Sequence, residues 1–250
     1  MRVTALMGLD ARLRLARLLV VTDTRNTAVE FRDHVVALFQ SGADIVQVRD
    51  PGKPEQQIMT ALEVARSAPL QLNKLVAVSG DVALAGKFGA DVIVVPASAD
   101  ASAVHAQVHE WALVGQGIHS QRDLVAAGAA PATNFALVGP VFVGAGAPVA
   151  APGPELLHAA AELLPVADPA GTPWFAAGGI GPANLDQVLA TGARRVAITV
   201  GGDQSAVGPI ADRLRDAWNS DNALRDFAFG VFGRTSPPAT FRGSQTPSPW

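Results

Sequence analysis

The chain has no cysteine among its 250 residues, so disulfides, iron–sulfur clusters and cysteine-ligated zinc are excluded. It has no excess of basic charge: the net charge is −3 and no lysine or arginine stripe runs along it. Nucleic acid is therefore not an expected partner. Nor is there a long uncharged apolar run. The apolar and small residues that lead to Leu9 are interrupted at once by Asp10, Arg12 and Arg14. That segment is too short and too charged for a signal peptide or a membrane span. It reads instead as an amphipathic helix covering one end of the fold, with the cytoplasm as the default compartment. What remains is abundant apolar surface. At 49% hydrophobic content, a chain of this length can bury one large core.

The richest stretch is Pro173 to Gly202, PWFAAGGIGPANLDQVLATGARRVAITVGG. An apolar run, Trp174 to Ala177, enters a double glycine, Gly178-Gly179. A helix is expected over 182–190, with Pro182 in its first turn and Gly192 after its end. A second apolar run, Val196 to Val200, enters Gly201-Gly202. Bare backbone just before a helix lets N–H groups approach a ligand and adds partial positive charge. Parallel barrels hold a phosphate in this way after their last two strands.

The same alternation fills the chain. Strands are expected at 18–22, 44–49, 74–79, 91–96, 113–119, 134–142, 174–177 and 196–200. Helices are expected near 27–41, 54–67, 81–88, 102–111, 121–127, 154–164, 182–190 and 204–218. The strands are rich in Val, Ile and Leu without polar alternation, as in a sheet covered by helices. Eight such units in series imply an α/β protein, a (β/α)8 TIM barrel, over residues 1–220. Residues 221–250 form an extension. Its first part carries Phe227, Phe229 and Phe232 and fits packing on the barrel or on a partner subunit, which leaves a homo-oligomer open. Its second part, rich in Ser, Thr, Pro and Gly, is expected to be disordered.

Several polar residues stand at expected strand ends. Gln47 and Arg49 share one face of a strand, and inward polar side chains in a buried barrel favour a ligand over an internal ion pair. His119 ends the fifth strand, where a ligand contact and an ordinary satisfied polar role are equally open. His105 and His109 are spaced i, i+4 but lack the glutamate of a zinc-protease helix, so a solvated helix face is the reading. Asp81 fits a helix N-cap as well as a metal ligand. Gly144 and Gly146 read as a flexible loop rather than a phosphate cradle, because no capped helix follows directly.

Taken in order, Val20-Val21-Thr22-Asp23, Gly42-Ala43-Asp44-Ile45-Val46-Gln47-Val48-Arg49, Gly139-Pro140-Val141-Phe142 and Ala177-Gly178-Gly179-Ile180 resemble the thiamine-phosphate synthase/TenI family. The resemblance spans about residues 17–218. It implies a (β/α)8 barrel that joins a pyrimidine diphosphate to a thiazole phosphate, or acts on the thiazole phosphate alone. It makes small phosphorylated thiamine precursors the partners. By the resemblance, Gln47, Arg49, His119, Gly139, Gly178, Gly179, Gly201 and Gly202 bind substrate or phosphate, and Arg49 and Lys53 serve the chemistry.

The chain departs from that pattern at the pyrimidine end. The family's lysine two residues after the arginine is Pro51 here, with Lys53 the nearest lysine. Its magnesium aspartates fall on Gly80 and Ala99, with Asp81 and Asp100 each one residue late. The lysine after Gly-Pro-x-Phe is absent, Pro140 stands where the isomerising branch has a histidine, and Gly117 stands where the family has a serine. Mg2+ is thus expected only if Asp81 and Asp100 serve as displaced ligands. A leaving diphosphate needs metal and cationic groups, whereas a thiazole phosphate needs only backbone donors. Two functions follow: a synthase of thiamine biosynthesis with a partly eroded site, or a non-catalytic barrel that binds a phosphorylated precursor. A sugar-phosphate isomerase is weaker, for lack of an acid–base pair at the strand ends.

Overall fold

The structure is a computed structural model that describes residues 8–68, 74–130, 132–142, 151 and 153–234. Strands and helices alternate in chain order. The strands are β1 (Leu18–Thr22), β2 (Ile45–Val48), β3 (Leu75–Ser79), β4 (Val92–Val95), β5 (Leu113–Ile118), β6 (Phe135–Val138), β7 (Trp174–Ala177) and β8 (Val196–Val200). The helices are α1 (Leu9–Leu15), α2 (Ala28–Gln40), α3 (Glu55–Arg66), α4 (Val82–Phe88), α5 (Ala101–His105), α6 (Gln121–Ala129), α7 (Glu155–Leu163), α8 (Leu185–Ala190), α9 (Val207–Asn219) and α10 (Asn222–Arg234). All strand pairs are parallel, and β8 pairs with β1 to close an eight-stranded barrel. None of the described helices is long and apolar enough to cross a membrane.

The period of two sorts each strand into inward and outward residues. Leu19, Ile45, Leu75, Leu113, Phe135, Phe175 and Ala197 fill the barrel, while Val20, Val46, Val78 and Ile93 pack outward against the helices. Phe135 and Phe175 meet edge to face with ring centroids 6.0 Å apart. Phe135 takes the space a Cβ would need at Gly115, 2.2 Å from its ring. Each such burial stabilises by about 1.5–3 kcal/mol.

Leu13 of α1 is fully buried against the bottom layer, as the charged amphipathic start of the chain implies. Asp44 also fastens this end. Its carboxylate accepts from the Arg17 and Leu18 N–H groups and pairs with Lys74 at 3.1 Å. Residues 222–234 add a helix that the sequence reading did not foresee. Leu224, Phe227 and Val231 of α10 pack with Trp218 on Ala11 and Leu15 of α1, while Phe229 is exposed. Arg195 is buried beneath this layer, donating to the Arg14 carbonyl at 2.8 Å with its guanidinium 5.1 Å from the Trp218 ring centre. Burial, with Arg14 nearby, lowers its pKa to about 9. Residues 235–250 lie outside the described residues.

Other boundaries are corrected. Helix α5 stops at His105 instead of continuing to 111: the chain closes in a tight turn with Gln107 N–H on the Val104 carbonyl, and the Gln107 carbonyl passes 2.5 Å from where a Cβ of Gly86 would be. His105 and His109 consequently share no helix face: His105 donates to the Ala132 carbonyl, and His109 stands 3.5 Å from Asp91. Helix α8 begins at Leu185, so Pro182 lies in the turn ahead of it, where Asn184 ties Gly181 N–H to the Gly179 carbonyl. Helix α9 begins at Val207, five residues beyond Gly202, and Asp203 caps the intervening turn by accepting from Ser205 N–H.

Candidate functional site

The barrel's C-terminal mouth is set by the strand register. Val21, Gln47 and Ala77 stand at one level. Two residues further on, Arg49 follows Gln47 on the same inward face. Gln47 is buried, 3% exposed, and its amide oxygen Oε1 has no partner among the described residues. A buried acceptor left unpaired is costly, which makes it a place for a donor from outside the chain. Arg49 is exposed, and its backbone N–H donates to the Thr22 carbonyl at 2.8 Å. Its guanidinium makes no ion pair among the described residues.

Arg49, Lys53, Ser79, Gly80 and Asp81 line one cleft of about 360 Å³ at the ends of β2 and β3. The two expected cations therefore come together, with Asp81 beside them. Asp81 is also the N-cap of α4, its Oδ1 accepting from Leu84 N–H at 2.9 Å. Asp100 is the N-cap of α5, accepting from Ser102 and Ala103. It lines a different groove, with Gln116 and Thr133. The two displaced carboxylates thus sit in separate clefts, each with one oxygen committed to a helix. No three metal-binding side chains cluster among the described residues. This donor set does not fit a magnesium ion gripped by both aspartates.

His119 follows β5 and is exposed at the mouth. Its Nδ1 lies 2.5 Å from the Gly139 carbonyl, which can only accept. Nδ1 therefore donates this bond. The ring lies over Gly117, where a Cβ would stand 3.4 Å from Nε2.

The glycines divide into two sets. Gly139, Gly178 and Gly179 have φ of 159°, 95° and 65°. A Cβ at Gly139 would meet the Ala177 carbonyl at 1.9 Å, at Gly178 the Pro140 Cα at 2.5 Å, and at Gly179 the Phe142 carbonyl at 2.7 Å. Close passage of the β6 and β7 ends, sealed by Val141 N–H on Ala177 and Phe142 N–H on Gly178, already demands glycine there. Gly201 and Gly202 differ: neither has positive φ, and a Cβ on either would meet nothing within 4 Å. No described part of the protein explains why they lack side chains. Gly144 and Gly146 lie outside the described residues.

Sequence reasoning missed a cluster beside Gly201. Arg25 donates to Asp23 at 2.5 Å, to His34 Nε2 at 3.0 Å and to the Gly201 carbonyl. Thr22 Oγ1 lies 2.9 Å from the same His34 nitrogen. A guanidinium has no acceptor, so Nε2 must accept and His34 is neutral. Burial and the Arg25 charge lower its pKa to about 4, against a smaller upward pull from Asp23. The motif ending in Asp23 pointed to this loop, but no local pattern links positions 25, 34 and 201.

The fold is a closed parallel (β/α)8 barrel, with open backbone at the end of β8 and, past the end of β2, two cations that make no ion pair among the described residues. A family model described as thiamine monophosphate synthase matches residues 18–201. The chain is 35% identical over 199 residues to the thiamine-phosphate synthase of Mycobacterium avium, covering 75% of this chain and 86% of that one. It is 33% identical over 219 residues to the thiamine-phosphate synthase of Streptomyces avermitilis, covering 82% and 97%. The thiamine phosphate pyrophosphorylase from Pyrococcus furiosus shares the fold, with a TM-score of 0.60 at 20% identity over 90% of this chain and all of that one. The chain belongs to the thiamine-phosphate synthase/TenI family.

Proposed function

We propose that the protein binds a thiazole monophosphate on the backbone at the end of β8 and couples it to a pyrimidine diphosphate lying along Gln47, Arg49 and Lys53. Coupling breaks the bond between the pyrimidine methylene carbon and the diphosphate oxygen. The electron pair leaves with the diphosphate while the thiazole nitrogen takes its place on carbon. Arg49 and Lys53 meet the departing charge. The observation that carries this reading is the buried, unpartnered Gln47 Oε1, an acceptor suited to an aminopyrimidine donor. The names of the relatives, thiamine-phosphate synthases, support the same product.

The commitment of Asp81 and Asp100 to helix caps favours a second reading, a barrel that binds the precursor without turnover. Charge-stabilising groups contribute about a hundredfold to a thousandfold each, so the rate should fall well below that of a relative with both carboxylates. Calorimetry with the thiazole phosphate, with and without magnesium and the pyrimidine diphosphate, tests binding. A thiamine phosphate assay tests coupling. Thiazole phosphate binding with slow turnover is expected, binding with none supports the second reading, and failure to bind either precursor overturns both. Rapid magnesium-dependent turnover would overturn the reading of an eroded pyrimidine end.

A further inference from the structure

We propose that Arg25 is a positioning residue for the ligand's phosphate: held between Asp23 and His34, it fixes the Gly201–Gly202 peptide so that the Gly202 N–H faces the mouth. The inference deepens the proposed function and rests on its placement of a phosphate at β8. A trans peptide is planar, with its C=O and N–H pointing in opposite directions. The Gly201 carbonyl accepts from Arg25 Nη2. Arg25 is in turn bonded to His34 on α2, and Thr22, the other neighbour of His34, faces the helix layer like Leu18 and Val20. The carbonyl is therefore drawn outward, and the N–H of the same peptide is turned inward.

Neither glycine would otherwise hold an orientation. Both are exposed, neither has a side chain to pack, and neither donates a backbone hydrogen bond among the described residues. A free glycine pair samples many conformations. A peptide aimed in advance spares the ligand that ordering cost. Arg25 is suited to this work because its planar fork serves Asp23 through Nη1 and both His34 and Gly201 through Nη2. A lysine would offer a single nitrogen for all three.

The test is 15N-labelled protein titrated first with inorganic phosphate, then with thiazole monophosphate and its unphosphorylated alcohol. In the wild type the Gly202 amide signal should move with phosphate. Arg25→Ala should weaken both phosphate ligands at least about tenfold, the cost of a mispositioned charge-assisted bond, and leave the alcohol unchanged. Arg25→Lys should give only partial rescue. His34→Gln keeps an acceptor for Arg25 and should stay close to wild type, which guards against Arg25→Ala simply disturbing the fold. A Gly202 signal indifferent to phosphate in the wild type overturns the proposal, as does equal loss of alcohol and phosphate binding in Arg25→Ala. A wild type that binds inorganic phosphate at Gly202 but not thiazole phosphate removes the functional reading and leaves the positioning role of Arg25 standing.

Discussion

Gly178-Gly179 and Gly201-Gly202 look alike in sequence and do different work. Each pair follows an apolar strand of the same sheet. At the first, the chain itself requires glycine: φ is positive at both residues, and the Pro140 and Phe142 backbones fill the space of a Cβ. At the second, φ is ordinary and the space is open. A glycine that the protein's own packing explains is no sign of a ligand. A glycine that nothing in the described chain explains leaves room for a molecule outside it. The phosphate signal therefore rests on β8, with Arg25 behind it, more than on β7.

The sharpest way to break this distinction is by substitution at the β6–β7 end. Gly139→Ala and Gly178→Val should destabilise the free protein by about 3 kcal/mol or more, roughly 6–12 °C in a chain of this size, through overpacking and backbone strain. Gly139 should be the worse of the two, because its added carbon would stand 1.9 Å from a carbonyl oxygen rather than 2.5 Å from Pro140. Thermal melts without ligand decide it. A normal melting temperature for Gly178→Val would show that the β6 end gives way easily, and Gly178 would again count as a ligand position.

The next largest effect is expected at the other pair. Gly201→Val should melt within about 2 °C of the wild type, as surface changes usually do, yet bind thiazole monophosphate about a hundredfold more weakly. A branched side chain there occupies the approach to the Gly202 N–H. If both Gly178→Val and Gly201→Val lost stability and kept their residual affinity, the two pairs would be alike after all.

The strand-to-strand architecture was legible because it depends on local composition. Runs such as Val92–Ile93 and Val196–Ile198 are buried on both faces, as helix-covered parallel strands are. The inward pairing of Gln47 with Arg49 also followed from the period of two. The β6–β7 crossing was not legible, since Gly139 meets Ala177 nearly forty positions away. Arg25 and Gly201 are separated by 176 positions. Helix α10 escaped because its apolar face is defined only by Trp218 and α1 beneath it. The metal question was legible only halfway. Sequence showed both aspartates displaced by one residue, while their separate clefts required the fold.

Arg49 offers a smaller, more selective contrast. Arg49→Ala should leave thiazole monophosphate binding unchanged, because β1 stands between β2 and β8 in the barrel. A pyrimidine diphosphate should bind about ten- to a hundredfold more weakly, the loss of one or two charge-assisted contacts. Parallel titrations of the two ligands read the difference. Loss of thiazole phosphate affinity in Arg49→Ala, with none in Gly201→Val, would move the phosphate to β2 and reverse the assignment of the two rims.

The smallest expected effect concerns pH, and it separates the two glycine pairs through His34. In the folded protein its pKa is about 4, below the ordinary 6.5, because burial and the Arg25 charge disfavour the imidazolium. As pH falls from neutrality, the unfolded chain takes up this proton first. The stability linked to neutral His34 is therefore complete above about pH 6.5 and drains away between there and about pH 4. After allowance for partial solvent screening, the loss at pH 5 should be about 1 kcal/mol, or roughly 2–4 °C. His34→Gln has no proton to gain, so its melting temperature should fall less between pH 7.5 and pH 5 than that of the wild type. Protonation also sets an N–H of His34 against the Arg25 guanidinium, so the Gly201 anchor should weaken over the same interval. The Gly178 crossing, built from backbone and packing, has no titrating group in its contacts. Phosphate affinity measured from pH 7.5 to 5 should therefore drop further in the wild type than in His34→Gln, beyond the change from the ligand's own ionisation. Equal losses in the two proteins would mean that Arg25 holds Gly201 without help from His34.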